Sequence, residues 1–198
     1  MNSLFPVTDT TNLVHEFLNF VTSGNEPACI EYIDKHKDFY NTVCTWSPLA
    51  YACYNGLEQV ADKLIDVGAD VNLYCFDKYT PLILTCMTGQ ISLVKKLIEA
   101  GADVNMRSES GCAALSYVMR HATNSQIAIL LIEAGAEFVE RIDHYISISA
   151  PVVIYIRSIY KKHILSVIND NDDDNAIATS FRTTYVPELV DMICEFIL

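Results

Sequence analysis

"LIEAGADVNM", residues 97–106, repeats "LIDVGADVNL", residues 64–73, at a distance of 33 positions. The spacing persists outward from this pair. Gly68, Gly101 and Gly135 stand 33 and 34 apart, Pro48 and Pro81 are 33 apart, and so are Gly56 and Gly89. "SPL" at 47–49, "TPL" at 80–82 and "AAL" at 113–115 open the copies; "GADVN" at 68–72, "GADVN" at 101–105 and "GAE" at 135–137 close them. A period of this length marks a stacked-repeat architecture, because one unit cannot bury its apolar face alone and its neighbours supply the cover.

Each copy reads as helix, turn, helix and extended loop. Ser47 or Thr80 caps the first helix through its hydroxyl, and proline follows at the first helical position, where its missing N–H is harmless. Gly56 and Gly89 suit the turn between helices. "LEQVADKLIDV" and "ISLVKKLIEA" space their apolar residues three and four apart, which gives each second helix one core stripe. Gly68, Gly101 and Gly135 fall where a left-handed helix stop is wanted. The predicted fold is all-α.

The T-P-L-x-x-A opening, the mid-unit glycine and the G-A-D-V-N close resemble ankyrin repeats over residues 42–138. The resemblance implies a solenoid of about three clear repeats, with loop fingers on one side. It predicts repeats over 42–142, a degenerate N-terminal capping repeat over 1–41 and a degenerate C-terminal repeat over 143–169. An acidic linker is expected at 170–183, and an amphipathic terminal helix at 184–198. The flanking copies are looser: Gly24 aligns with Gly56 and Tyr32 with Leu64, while "APV" at 150–152 stands for "TPL". End units need one face adapted to solvent, so such departures are expected. Two departures fall inside the array. The histidine that in the family follows T-P-L and ties neighbouring loops is replaced by Ala50, Ile83 and Ser116. Lys78 replaces the usual loop glycine, so this finger is expected to be kinked or loose.

Such arrays imply a non-catalytic protein that binds a partner protein through finger tips and the concave face of the first helices, as scaffold, inhibitor or decoy. The family's variable contact positions fall on Val43, Cys44, Trp46, Tyr54 and Asn55, then on Phe76, Asp77, Tyr79, Met87 and Thr88, then on Glu109, Ser110, Cys112, Arg120 and His121. The only tryptophan of the chain is among them. Aromatic residues and methionine are enriched at interface cores. The alternative is that Trp46 and Phe76 fold back onto the finger bases.

Composition narrows the partners. Thirteen basic residues against 25 acidic ones leave a net charge of −12, which argues against a nucleic-acid face. Seven cysteines, none in C-x-x-C spacing, form neither a zinc signature nor a disulfide framework. A reduced compartment, cytoplasm or nucleus, is the natural reading. The longest uncharged run in the C-terminal part, "YISISAPVVIYI" at 145–156, is too short to cross a membrane. "HEFLN" at 15–19 lacks the second histidine of a zinc motif, and "DNDDDN" at 170–175 lacks the glycine and glutamate of a calcium loop. No metal, cofactor, membrane or nucleic acid is expected, no catalytic constellation is spaced in the sequence, and a monomer is expected.

The tail "VPELVDMICEFIL", 186–198, is similar to the opening helix of F-box motifs, as in poxviral ankyrin proteins that recruit the Skp1–cullin ubiquitin ligase. The resemblance implies adaptor contacts at Pro187, Leu189, Val190, Ile193 and Ile197. Tyr185 and Val186 stand where that motif has Leu-Pro, and one helix is present where a full F-box has about three. Two readings stay open: a helix that docks back onto the array, or one that binds Skp1.

Overall fold

Helix starts and stops are written locally. Ser47 Oγ accepts from the Ala50 amide and Thr80 Oγ1 from the Ile83 amide, both at 3.2 Å. Pro48 and Pro81 follow at the first helical position. Each helix ends where glycine enters the left-handed region, Gly56 at φ +74° and Gly89 at +77°, a conformation that costs a residue with a Cβ about 1–2 kcal/mol.

The computed structural model describes residues 9–37, 39–121 and 124–137, together with 152, 154, 158 and 162. The chain divides into two compact units, Met1–Ser147 and Ile148–Leu198. In the first, the described residues form eight α-helices: α1 Asp9–Thr22, α2 Glu26–Lys35, α3 Pro48–Asn55, α4 Glu58–Asp66, α5 Pro81–Thr88, α6 Ile91–Glu99, α7 Ala114–His121 and α8 Ser125–Glu133. In the second, Val152, Ile154, Ser158 and Lys162 are helical. Residues 170–198, with the linker and the tail positions Pro187, Leu189, Val190, Ile193 and Ile197, lie outside the described residues.

The helices pair and stack in two layers. First helices pack in the order α1, α3, α5, α7, and second helices in the order α2, α4, α6, α8. The apolar stripes meet between the layers: Leu49, Ala52 and Cys53 of α3, Val60, Ala61 and Leu64 of α4, Leu82 and Thr85 of α5, Leu93, Val94 and Leu97 of α6 are all buried. At the N-terminal end Phe17, Tyr32 and Phe39 fill the equivalent space with rings 5.2–6.1 Å apart. Tyr32 donates to the Leu13 carbonyl oxygen (3.1 Å) and Glu16 Oε2 (3.0 Å). Burial, then Glu16, raises this phenol to about 12.

Two ladders join successive units. Asn41, Asn72 and Asn105 each accept from an amide one repeat onward, those of Asp70, Asp103 and Glu137, at 2.8 Å. The same side chains donate to the carbonyl oxygens of Gly68, Gly101 and Gly135. On the second helices, Lys63 pairs with Asp34 at 2.6 Å, Lys96 with Asp62, and Ser92 with Glu58. Exposed ion pairs contribute at most about 1 kcal/mol each, so these charges mainly set alignment.

Candidate protein-interaction surface

Three fingers precede α3, α5 and α7. Each finger bonds to the next through its backbone: the Phe76 amide donates to the Thr45 carbonyl oxygen and the Glu109 amide to that of Asp77, both at 2.8 Å. Side chains reinforce the join. The Ser47 amide donates to Cys75 Sγ at 3.2 Å, which ties the finger preceding α5 to the cap of α3. Ala50, Ile83 and Ser116 are buried at the positions where a loop-tying histidine was noted as missing. Cys75 and the backbone pairs make the connection instead. The sequence reading missed this use of Cys75, since nothing in its spacing signals it.

The finger carrying Lys78 is kinked, not loose. Phe76–Lys78 form a tight turn in which Asp77 (φ +58°) and Lys78 (φ +54°) are both left-handed. The turn is closed by the Cys75 amide donating to the Tyr79 carbonyl oxygen (2.8 Å) and the Lys78 amide to that of Cys75 (3.0 Å). Phe76 is thrown outward, 63% exposed. In the next finger, Tyr117 beneath the loop holds the Ser108 hydroxyl at 2.9 Å and the Ser110 hydroxyl at 3.3 Å. Tyr79 stands edge-on to Tyr117, ring centres 6.0 Å apart. The hydrogen bond with Tyr117, and then burial, raises the Tyr79 phenol.

The expected contact residues divide into three groups. Tyr54 (44%), Phe76 and Met87 (43%) are exposed large apolar residues, as are Val43 and Tyr74. Asn55, Asp77, Thr88, Glu109 and Ser110 are exposed polar ones, and Arg120 and His121 end α7. Trp46, Cys44 and Tyr79 are half-buried. Trp46 lies against Tyr51 (5.0 Å) and Tyr54 (4.9 Å), and with Tyr79 it packs on the buried cluster of Ala50, Cys75 and Leu84. Trp46 thus belongs partly to the finger base, whereas Phe76 does not fold back. Cys112 corrects the expectation of outward placement: it is 5% exposed, because its thiol turns inward and donates to the Ser110 carbonyl oxygen. The sequence reading also passed over Tyr74, which precedes the contact positions Phe76, Asp77 and Tyr79 of its finger.

Burial raises the thiols of Cys29 to about 11 and Cys53 to about 12, and raises that of Cys86 further. Such thiols are neutral and poor nucleophiles. Among the described residues no His, Cys, Asp and Glu group could hold a metal ion, and no helix is long and apolar enough to cross a membrane.

The stacked helix pairs, the left-handed stops and the inter-repeat asparagines define a helical repeat protein. The family model for ankyrin repeats matches residues 49–142 as three copies, and this segment belongs to the ankyrin-repeat family. No curated protein matches the chain. Ankyrin arrays are protein–protein interaction modules, which use the extended surface that stacking creates.

Proposed function

We propose that this chain is a non-catalytic binding module that holds a partner protein on its fingers and first helices, as scaffold, inhibitor or decoy. One observation carries the reading. Among the described residues of the first unit, the exposed large apolar ones, Val43, Tyr54, Tyr74, Phe76 and Met87, all lie on the fingers and first helices. The second helices contribute none of them. Exposed apolar surface collected on one face marks a binding site more than scattered residues do. Cys29, Cys44, Cys53, Cys75 and Cys86 are thiols outside any disulfide, which supports action in a reducing compartment, cytoplasm or nucleus.

The test is affinity purification with the wild-type chain beside a Tyr54→Ala/Phe76→Ala variant, with circular dichroism to verify the fold. Loss of the specific partners from the folded variant is expected. Retention of all of them at unchanged affinity would remove this face from the function.

A second reading rests on the tail sequence alone. "VPELVDMICEFIL" would dock Skp1 and make the array a substrate receptor for a ubiquitin ligase. Co-purification of Skp1 with the full chain, abolished by deletion of 184–198, is the expected result. An intact chain that fails to bind purified Skp1 rejects it.

A further inference from the structure

The chain carries a net charge of −12, yet the finger side of two successive repeats is almost free of charge. No charged residue occurs from Phe39 to Leu57 or from Tyr79 to Val94. These stretches contain all of α3 and α5. Between them the finger tip carries one acid and one base, Asp77 and Lys78, adjacent and of opposite sign. In these two repeats the charges sit on the second helices, α4 and α6. The groove between α4 and α6 is lined by Asp62, Asp66, Lys96 and Glu99, and the second helices are stitched by Asp34–Lys63 and Asp62–Lys96.

Among the described residues of the first unit, the exposed large apolar ones are equally confined. Val43, Tyr54, Tyr74, Phe76 and Met87 belong to two successive repeats. In the third, the finger is bracketed by Arg107 and Glu109. The patch is therefore two repeats wide. With neighbouring helices about 8–10 Å apart, it spans roughly 20 Å, the length of about six residues of extended chain.

We infer that the partner docks through a short uncharged, apolar segment of about six residues on this two-repeat patch, with Phe76 as its protruding anchor; the inference rests on the reading of this face as the binding surface. The physical reason is exclusion. A charged side chain seated against Trp46, Tyr54 and Met87 would lose water and face α3 and α5, which carry no counter-charge. Uncharged residues lose nothing comparable and bury apolar area. Charged residues are depleted from interface cores on the same ground, and a surface that penalises the wrong side chains discriminates as effectively as one that rewards the right ones. The left-handed Asp77 and Lys78 hold Phe76 clear of the finger before any partner arrives.

The test is selection of a phage-displayed random peptide library on the full chain, with synthetic peptides then titrated against wild type, Phe76→Ala and Met87→Lys. Phe76 and Met87 are both exposed, so both variants are expected to unfold like wild type in a thermal melt. The expected winners carry about six consecutive uncharged, mostly apolar positions and lose about tenfold or more in affinity on each variant. Winners that depend on Phe76 but are rich in Lys, Arg, Asp or Glu overturn the inference and leave the binding face standing. Winners indifferent to both substitutions overturn the face as well. A library that yields no specific peptide also counts against the inference, since the patch would then be too weak to seat a short segment.

Discussion

Lys78 holds φ +54° at the position where Gly111, 33 residues onward, holds +75°. The two fingers thus place a left-handed residue at the same position with different side chains, and only one of them suits it. A left-handed residue with a Cβ costs about 1–2 kcal/mol, part of which glycine returns as extra freedom of the unfolded chain. Lys78→Gly is therefore expected to stabilise the protein by roughly 0.5–1 kcal/mol, read as a higher midpoint in urea at an unchanged slope. A destabilised variant would mean that the lysine side chain contributes contacts of its own.

Asn72 bridges two repeats by accepting from the Asp103 amide at 2.8 Å and donating to the Gly101 carbonyl oxygen at 3.1 Å. Asn72→Ala removes both bonds from a partly solvated site. The expected loss is about 1–2 kcal/mol, at roughly 1 kcal/mol per net hydrogen bond. Hydrogen exchange localises it: the Asp103 amide should exchange faster, while that of Asp70, held by Asn41, should not.

Ser47 is buried and does two things. Its hydroxyl accepts from the Ala50 amide, and its own amide donates to Cys75 Sγ. Ser47→Ala deletes the cap and the bond from the Cys75 thiol to the Ser47 hydroxyl but leaves the amide–Sγ bond, so a loss of about 1–2 kcal/mol is expected from denaturation curves. Cys75→Ala deletes the finger bond and spares the cap. Nuclear magnetic resonance shifts should then move at Thr45 and Phe76 more than in α3.

The buried thiols set an alkaline limit. Burial raises Cys53 from 9.0 to about 12 and Cys29 from 9.0 to about 11. A raised native value means that the unfolded thiol ionises first and draws the protein open. Their contribution is complete below pH 9 and is lost as pH climbs towards 11–12. Urea midpoints are expected to fall between pH 8.5 and 10.5, less steeply in Cys53→Ala relative to its own neutral midpoint. At pH 8, a thiol reagent should label Cys53 and Cys86 only as fast as the protein unfolds.

Trp46 and Phe76 separate stability from binding. Trp46 packs on Ala50, Cys75 and Leu84, so Trp46→Ala is expected to cost about 2 kcal/mol of stability, below the range for a fully buried tryptophan. Phe76 is 63% exposed, and Phe76→Ala should stay within about 0.5 kcal/mol of wild type. As a protruding aromatic it should cost about 2 kcal/mol in partner binding, near 30-fold. Calorimetry on the purified pair checks both values. Weak destabilisation by Trp46→Ala with strong loss of binding would move the anchor to Trp46.

Much of the array was legible because it is built from local rules. Ser47, Thr80, Pro48, Pro81 and the period-33 glycines act within a few residues of themselves, so their roles follow from identity and spacing. The finger side of the molecule was legible as positions, not as exposures. Whether Trp46 stands out or lies on the finger base depends on Ala50, Cys75 and Leu84, which come from two repeats. Cys112 looks like a contact position by register, yet the loop turns its thiol inward.

The sequence by itself determined the repeat, its period, the helix stops and the uncharged stretches that enclose α3 and α5. These depend on backbone preference and side-chain chemistry within one unit. Only the tertiary structure decided which outward positions are surface. It also placed Asn41, which lacks the G-A-D-V context of Asn72 and Asn105, in the same ladder. Exposure and cross-repeat bonding arise between units about 30 residues apart in the chain, where no local pattern records which groups will meet.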